Sequence, residues 1–341
     1  MVSRYASPGL YPDLIDLLPM ASFFKIQYER FFHLYHRLRN VWPIWFYLSN
    51  AESRILWKKA GVRPDAMQER VARLLARDGI VVIPMKELMG DESFFEAMRV
   101  YVAQRIRDPL VIRERARREE LLANRTIEGK RAGKYLKDFW VPLFPIGQDG
   151  KIPYDAANPF FQFIMHPRIL EIAALYFDFL PKLNSFTLQN TLLVPPGTPE
   201  YLSQRWHRDS EDKKMLKVFV YLTDVQERGA GPFMYVRGSQ HNGRWHHLFP
   251  QRPPAGSYPP AGAVEHAVPE EDIQINLAPA GTVIFCDTAG LHRGGYSTTM
   301  ERTMFLPAFC SRASVNPIHF ERPDTAALAS YGDMGRFALT P

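Results

Sequence analysis

A mainly β fold with flanking helices and a helical N-terminal part is what this 341-residue sequence predicts. Three observations carry that expectation. From about residue 183, short runs rich in β-branched and aromatic residues alternate with Pro, Gly and Asp: FTLQNTLLVPPG, KVFVYLTDV, PFMYVRGSQH, TVIFCD and TMFLPAFC. Strands of that length and spacing suit a sandwich or jelly roll. Upstream, apolar residues recur at helical period in MQERVARLLAR and ESFFEAMRVYVAQRIRD. Finally, no solenoid-length repeat and no linker divides the β-rich half.

The elements follow in order. Residues 1–60 read as an aromatic-rich helical extension, in which Phe24, Tyr28, Phe31, Tyr35 and Leu38 recur at 4-3-4-3 spacing and form one stripe. Lys25, Arg30, Arg37 and Arg39 decorate the other side. Such a stripe packs on its own core, on a partner subunit such as a second copy in a homodimer, or, as a basic amphipathic helix over residues 20–48, on a membrane surface.

Asp65 is placed to cap the next helix, and Gln68 completes a capping box. Gly79 ends that helix, and IVVIP at 80–84 reads as a buried strand. A second helix and a charged third one follow. The run RIRDPLVIRERARREE at 105–120 interleaves acids with its arginines and reads as a solvated helix face. The Pro-rich stretch between Gly243 and Pro279 reads as one long loop, and a loop of that length in a compact domain is more often functional than incidental.

Composition removes several classes. At 46% hydrophobic and 13% aromatic residues, the chain has enough apolar surface for a core and is not a disordered polymer. Its net charge of +6 is mild and sits in local runs, for which an anionic partner, such as a phosphorylated substrate or a membrane surface, is the sharper alternative to a solvated helix face. Two cysteines, Cys286 and Cys310, suggest no disulfide framework, and a reducing cytoplasm is the default. No run approaches the roughly 20 apolar residues of a membrane span, and the N-terminus shows no continuous apolar signal region, so membrane association rests on residues 20–48 alone.

The histidines carry the chemistry. His33 and His36 sit on the aromatic helix, and His246 and His247 are adjacent. His166, His266 and His319 have no partner signature, so all seven read as structural. His207 differs because Asp209 stands two positions on, in WHRDS. In an extended segment residues i and i+2 point the same way and present an imidazole and a carboxylate together. That is two thirds of a facial triad with open coordination positions, as non-haem Fe(II) oxygenases use. His292, in LHRGG after the strand GTVIFCD, suits the third place, and Arg302 starts the next strand, where its fork can meet a carboxylate. The residues alone leave open whether His207, Asp209 and His292 share a metal or are three ordinary polar groups.

WHRD, then KVFVYLTDVQERGAGPFMYVRGSQH, then GTVIFCDTAGLHRGGYSTTMERTMF, with LARDGIVVIP and MHPRIL upstream, resembles the phytanoyl-CoA dioxygenase family of Fe(II)/2-oxoglutarate oxygenases. The resemblance spans residues 70–312 in approximate terms. It implies a double-stranded β-helix, a cupin-like jelly roll at about 183–312, within one catalytic domain over 61–341. It implies that His207, Asp209 and His292 hold iron and that Arg302 pairs with the distal carboxylate of 2-oxoglutarate. Gln204 and Gln189 would help to hold that cosubstrate. Two departures stand out: Gly294 where a polar residue is frequent, and Arg237 where a turn proline is usual. His241 of that turn reads as structural.

The activity so implied is O2-dependent hydroxylation of an aliphatic C–H bond in a small molecule, with succinate and carbon dioxide released. The substrate class would be a specialised metabolite, a sugar or lipid intermediate, or a carrier-linked acyl group. The retained carboxylate of Asp209 favours hydroxylation over halogenation. Two alternatives compete. One is a non-catalytic metal-binding jelly roll. The other is a nucleic-acid-modifying oxygenase using the basic run near 113–134, although no RNA-binding motif accompanies that run. The Pro-rich 249–269 segment and the helices of 85–135 are the expected lid and pocket wall.

Overall fold

A computed structural model describes residues 30–123, 139–253, 255–314 and 316–340. Phe24, Lys25 and Tyr28 of the N-terminal stripe, and residues 124–134 of the basic run, lie outside the described residues. The helices used below are α1 (Ala51–Ala60), α2 (Ala66–Asp78), α3 (Ser93–Ile106), α4 (Pro109–Ala123), α5 (Pro159–Ile164) and α6 (Pro167–Phe177). The strands are β1 (Ile80–Pro84), β2 (Trp140–Pro142), β3 (Lys182–Thr191), β4 (Leu216–Tyr221), β5 (Met234–Val236), β6 (Ile273–Ile275), β7 (Thr282–Asp287), β8 (His292–Arg293) and β9 (Arg302–Cys310).

The strands form two antiparallel sheets. The larger runs β1-β7-β4-β9-β3-β2 and the smaller β6-β5-β8. The strand-bearing region is therefore wider than 183–312, because β1 and β2 supply the two edges of the larger sheet. Side-chain alternation sorts that sheet into two faces. Val218, Val220, Val283, Phe285, Phe305 and Phe309 join the helix-covered core with Phe160, Ile172 and Phe177. Phe219, Tyr221, Ile284 and Met304 join Phe233 and Tyr235 of the smaller sheet in a second cluster. The two sheets therefore face each other across an apolar layer, with the Phe219 and Phe233 rings 4.5 Å apart between centroids. Each fully buried phenylalanine contributes on the order of 2–3 kcal/mol of transfer free energy.

Local signals set the helix that feeds β1. The Asp65 side chain accepts from the Gln68 backbone at 2.9 Å, and Gln68 Oε1 accepts from the Asp65 backbone at 2.8 Å. Gly79 closes the helix in the left-handed region at φ 77°, where a side chain would also collide with Tyr235. Its carbonyl then accepts from Asp287 at 2.8 Å, which locks β1 against β7. Asp65→Ala is expected to lower the unfolding free energy by about 1 kcal/mol in urea titrations, the usual worth of an N-cap.

One expectation is narrowed and one is corrected. The described part of the aromatic stripe does not pack on the chain's own described core, since Phe31, Tyr35 and Leu38 are 68%, 46% and 48% exposed, which leaves the partner subunit and the membrane surface as its alternatives. The opposite edge of the same turn is used instead, with His36 and Arg39 buried and Arg39 donating to the Ala313 carbonyl. The stretch 243–279 is also not one loop. It holds a helical turn at Ala263–Ala267, a tight turn at Glu270–Asp272 and strand β6. Ser257 bridges to Arg208 beside the histidines. Proline content concealed this order, since prolines flank these pieces without interrupting them.

Most of the charged run lies in α4, and its charges pair within the helix: Arg117 and Arg118 with Glu114, Arg115 with Glu119. Arg115 additionally ties α4 to Glu301 just before β9.

Candidate metal centre

The segment carrying His207 lies antiparallel beside β8. His207 N donates to the His292 carbonyl at 2.9 Å and His292 N returns the bond at 3.0 Å. Residues so paired place their side chains on the same face, side by side. The two imidazole centroids are 4.1 Å apart. Asp209, two positions on, adds its carboxylate to the same face: Oδ1 is 3.6 Å from His207 Nε2 and Oδ2 is 3.7 Å from His292 Nε2. One ligand atom from each of the three residues lies within 4.8 Å of the others. Among the described residues this is the single such metal-competent group.

The imidazoles are held by backbone. His207 Nδ1 is 2.9 Å from the Arg205 carbonyl and His292 Nδ1 is 3.0 Å from the Gly290 carbonyl. A carbonyl can only accept, so each Nδ1 carries the proton and each Nε2 offers a lone pair to the centre. Burial pulls both histidines below the ordinary range, His292 to about 3, with His207 adding to that shift. Neutral imidazoles are the metal-binding form. Burial alone would push Asp209 up, but the Lys217 ammonium holds it below the usual carboxylate range.

Asp287 builds the turn that delivers His292. It is fully buried, and it accepts from Tyr176 at 2.5 Å, from Met215 N at 3.1 Å and from Ala289 N at 3.0 Å. Gly290 is needed in this turn because a Cβ there would sit 2.1 Å from the Tyr235 hydroxyl.

Arg302 enters from the opposite sheet. It shares the strand face of Met304, which belongs to the inter-sheet cluster. A chain of contacts joins it to the triad. The Phe233 ring is 5.7 Å from His292, Phe233 N donates to the Tyr221 hydroxyl at 3.1 Å, and Tyr221 is the polar neighbour that supports the Arg302 charge against burial. Arg302 is 3% exposed, and its Nε and Nη1 have no hydrogen-bond partner. Its register partner Thr191 has an equally unpartnered, buried Oγ1.

The glutamines stand apart from this pattern. Gln204 is buried and its amide satisfies backbone, donating to the Gly294 and Gly295 carbonyls at 3.1 and 3.2 Å in the orientation that suits both its ends. It fills the space beside Gly294, where a side chain is absent. Gln189 is half-buried on β3, two residues before Thr191 and opposite Met304.

Four residues were not singled out from sequence. Lys217 Nζ is 2.6 Å from Asp209 Oδ2. Its signal was available: it is the charged residue of the strand LKVFVY and shares the inward face of Phe219 and Tyr221. Arg208, between the two ligands of WHRD, points the other way and donates to five backbone carbonyls. Thr191 and Tyr258 complete the set. The Tyr258 ring lies parallel to His207, 5.5 Å away, which sets the Pro-rich segment at the mouth of the centre.

No family model matches the chain, and no curated protein matches it. Among solved structures, it is similar to the epimerase SnoN in complex with Fe3+, alpha ketoglutarate and nogalamycin RO, at 20% identity and TM-score 0.44, over 72% of this chain and 84% of that one. It is similar to EctD from S. alaskensis with bound Fe, at 16% identity and TM-score 0.39, over 76% and 82%. It is also similar to the non-heme alpha ketoglutarate dependent carbocyclase SnoK, at 17% identity and TM-score 0.36, over 71% and 84%. No helix among the described residues is long and apolar enough to cross a membrane.

Proposed function

We propose that this protein is an Fe(II)- and 2-oxoglutarate-dependent oxygenase that hydroxylates an aliphatic C–H bond of a small molecule, with its two facing sheets forming a double-stranded β-helix core. The observation that carries the reading is Arg302. A sealed guanidinium with two unpartnered nitrogens is costly, and it faces the same inter-sheet space as a complete two-histidine, one-carboxylate triad. An organic dianion that chelates the metal at one end and meets Arg302 at the other resolves that cost.

The residues divide the work. His207, Asp209 and His292 would hold the iron on one face and leave the others open. Arg302, with the Thr191 hydroxyl beside it, would fork onto the distal carboxylate of 2-oxoglutarate. When bound, iron, 2-oxoglutarate and O2 supply an oxidant that takes hydrogen from an unactivated C–H bond, with succinate and carbon dioxide released. The apolar wall of Phe219, Phe233 and Met304 keeps water from that space, and Tyr258 covers the His207 side. Gln204 acts through His292, because it steadies the backbone at Gly294, and Gln189 remains at the edge of the cosubstrate space.

The test is succinate formation from 2-oxoglutarate, assayed with and without Fe(II). Turnover that requires iron is expected in the wild type. Arg302→Ala is expected to raise the 2-oxoglutarate concentration for half-maximal rate by about 10- to 100-fold, the worth of a charge-assisted fork. A variant that keeps the wild-type requirement sinks the assignment of Arg302.

A further inference from the structure

Behind the ligand-bearing strand lies a second cleft, of about 310 Å³. Arg208 is in its lining. Since Arg208 alternates with His207 and Asp209, the cleft is on the opposite side of that strand from the metal centre. Besides Arg208, whose donors are committed to backbone carbonyls, four basic side chains line it, Arg37, Lys213, His241 and His246, and no aspartate or glutamate does. None of the four is in an ion pair among the described residues, whereas most arginines of α4 are so paired.

The acid that precedes Lys213 in the chain does not neutralise them. Asp212 is fully buried, and its oxygens accept from Trp45 Nε1 at 2.6 Å, from Lys213 N at 2.7 Å and from Ser311 N at 2.6 Å. Burial also pushes its carboxyl up, towards the neutral form. His241 is held in place by stacking on Trp42, with centroids 4.4 Å apart and planes within 18°. Burial and the charges of Lys213, Lys214 and His246 drive it down to about 4. Arg37 and Lys213 thus bring two positive charges to a concavity without an acid, beside neutral imidazole donors, and such a concavity forms an anion site, since the repulsion is relieved by the ligand.

The shape adds an organic requirement. Pro250 and Pro253 line the same cleft and give it an apolar rim. Gln251 between them donates to the carbonyls of Asp209 and Asp212, so the rim is braced against the metal-ligand strand itself.

We propose that this cleft binds a phosphate monoester, with Arg37 and Lys213 on the phosphoryl group, the two histidines beside it and the organic part against the proline rim. A phosphate monoester carries close to two negative charges at neutral pH, which matches two fixed cations; a carboxylate brings one. The site owes nothing to iron, so it stands or falls apart from the oxygenase reading.

The experiment is calorimetric titration of the full chain, freed of metal and at low ionic strength, with phenyl phosphate and with inorganic phosphate. Phenyl phosphate is expected to bind more tightly than inorganic phosphate. Arg37→Ala and Lys213→Ala are each expected to weaken it by about tenfold, and Arg302→Ala is expected to leave it unchanged. Three results overturn the proposal. They are equal affinity for the two probes or binding of neither, wild-type affinity in the Arg37→Ala, Lys213→Ala double variant, and loss of binding in Arg302→Ala. Thermal unfolding is followed for each variant, and any that unfolds early is replaced by its glutamine counterpart.

Discussion

Asp209→Ala is expected to bind Mn2+ at least about 100-fold more weakly than the wild type, and to form no measurable succinate. Removing an outer partner of a metal ligand already costs 10- to 100-fold, and Asp209 would be a direct ligand. The loss is compounded by what remains. Lys217 Nζ lies 2.6 Å from the Asp209 carboxylate, which, with Glu211, raises the ammonium above its ordinary range against burial. Without Asp209 that ammonium faces two imidazoles directly, and a divalent cation entering the site meets a positive charge instead of a negative one. Retention of Mn2+ affinity within about threefold would sink the triad, because repulsion from an unpaired lysine at this range is worth more than that.

Lys217 gives the control. Lys217→Met keeps the triad and removes the ion pair and hydrogen bond to Asp209 Oδ2, so its effect on metal affinity belongs in the outer-partner range. The lysine also explains how a buried carboxylate beside two neutral histidines stays ionised before metal arrives. Neither imidazole carries a charge to offer, and Lys217 is the largest favourable contributor to the Asp209 carboxylate.

Sequence alone reached part of this centre for identifiable reasons. His207 and Asp209 were legible because a two-residue period is rigid in extended chain. The β-runs were legible because strands buried on both faces have few polar residues to confuse them. His292 was harder: nothing in its spacing of 85 residues from His207 implies an antiparallel pair, and the resemblance supplied the link. Periodicity in the N-terminal stripe reports that a helix has an apolar face, but not whether the chain's own core, a partner or a membrane takes that face; the core takes His36 and Arg39 of this helix. Lys217 and Arg208 were passed over because a lone charge in a strand, or between two ligands, has no pattern. Their meaning lies in what they touch.

Arg208→Ala is expected to destabilise the metal-free protein by about 3–5 kcal/mol in urea unfolding, a size reserved for broken buried networks. The guanidinium is 4% exposed and meets no carboxylate. Its Nε donates to the Phe249 carbonyl at 3.0 Å, Nη1 to Ser239 and Ala289 at 2.6 and 2.7 Å, and Nη2 to Trp245 and Leu248 at 3.3 and 2.9 Å. One side chain thus gathers the turn after β5, the start of the Pro-rich segment and the turn that delivers His292. Truncation would leave five carbonyls without this donor, several in places water reaches poorly, and each such loss costs about 1 kcal/mol or more. Arg208→Lys separates charge from geometry: the ammonium restores the cation but has three donors and no planar fork, so it should recover less than half of the loss. Because the Ala289 carbonyl is three positions from His292, both variants should also weaken Mn2+ binding, alanine more than lysine. An Arg208→Ala protein that unfolds at the wild-type urea midpoint would mean that the fork is an ornament of the fold and that other contacts align His207 with His292.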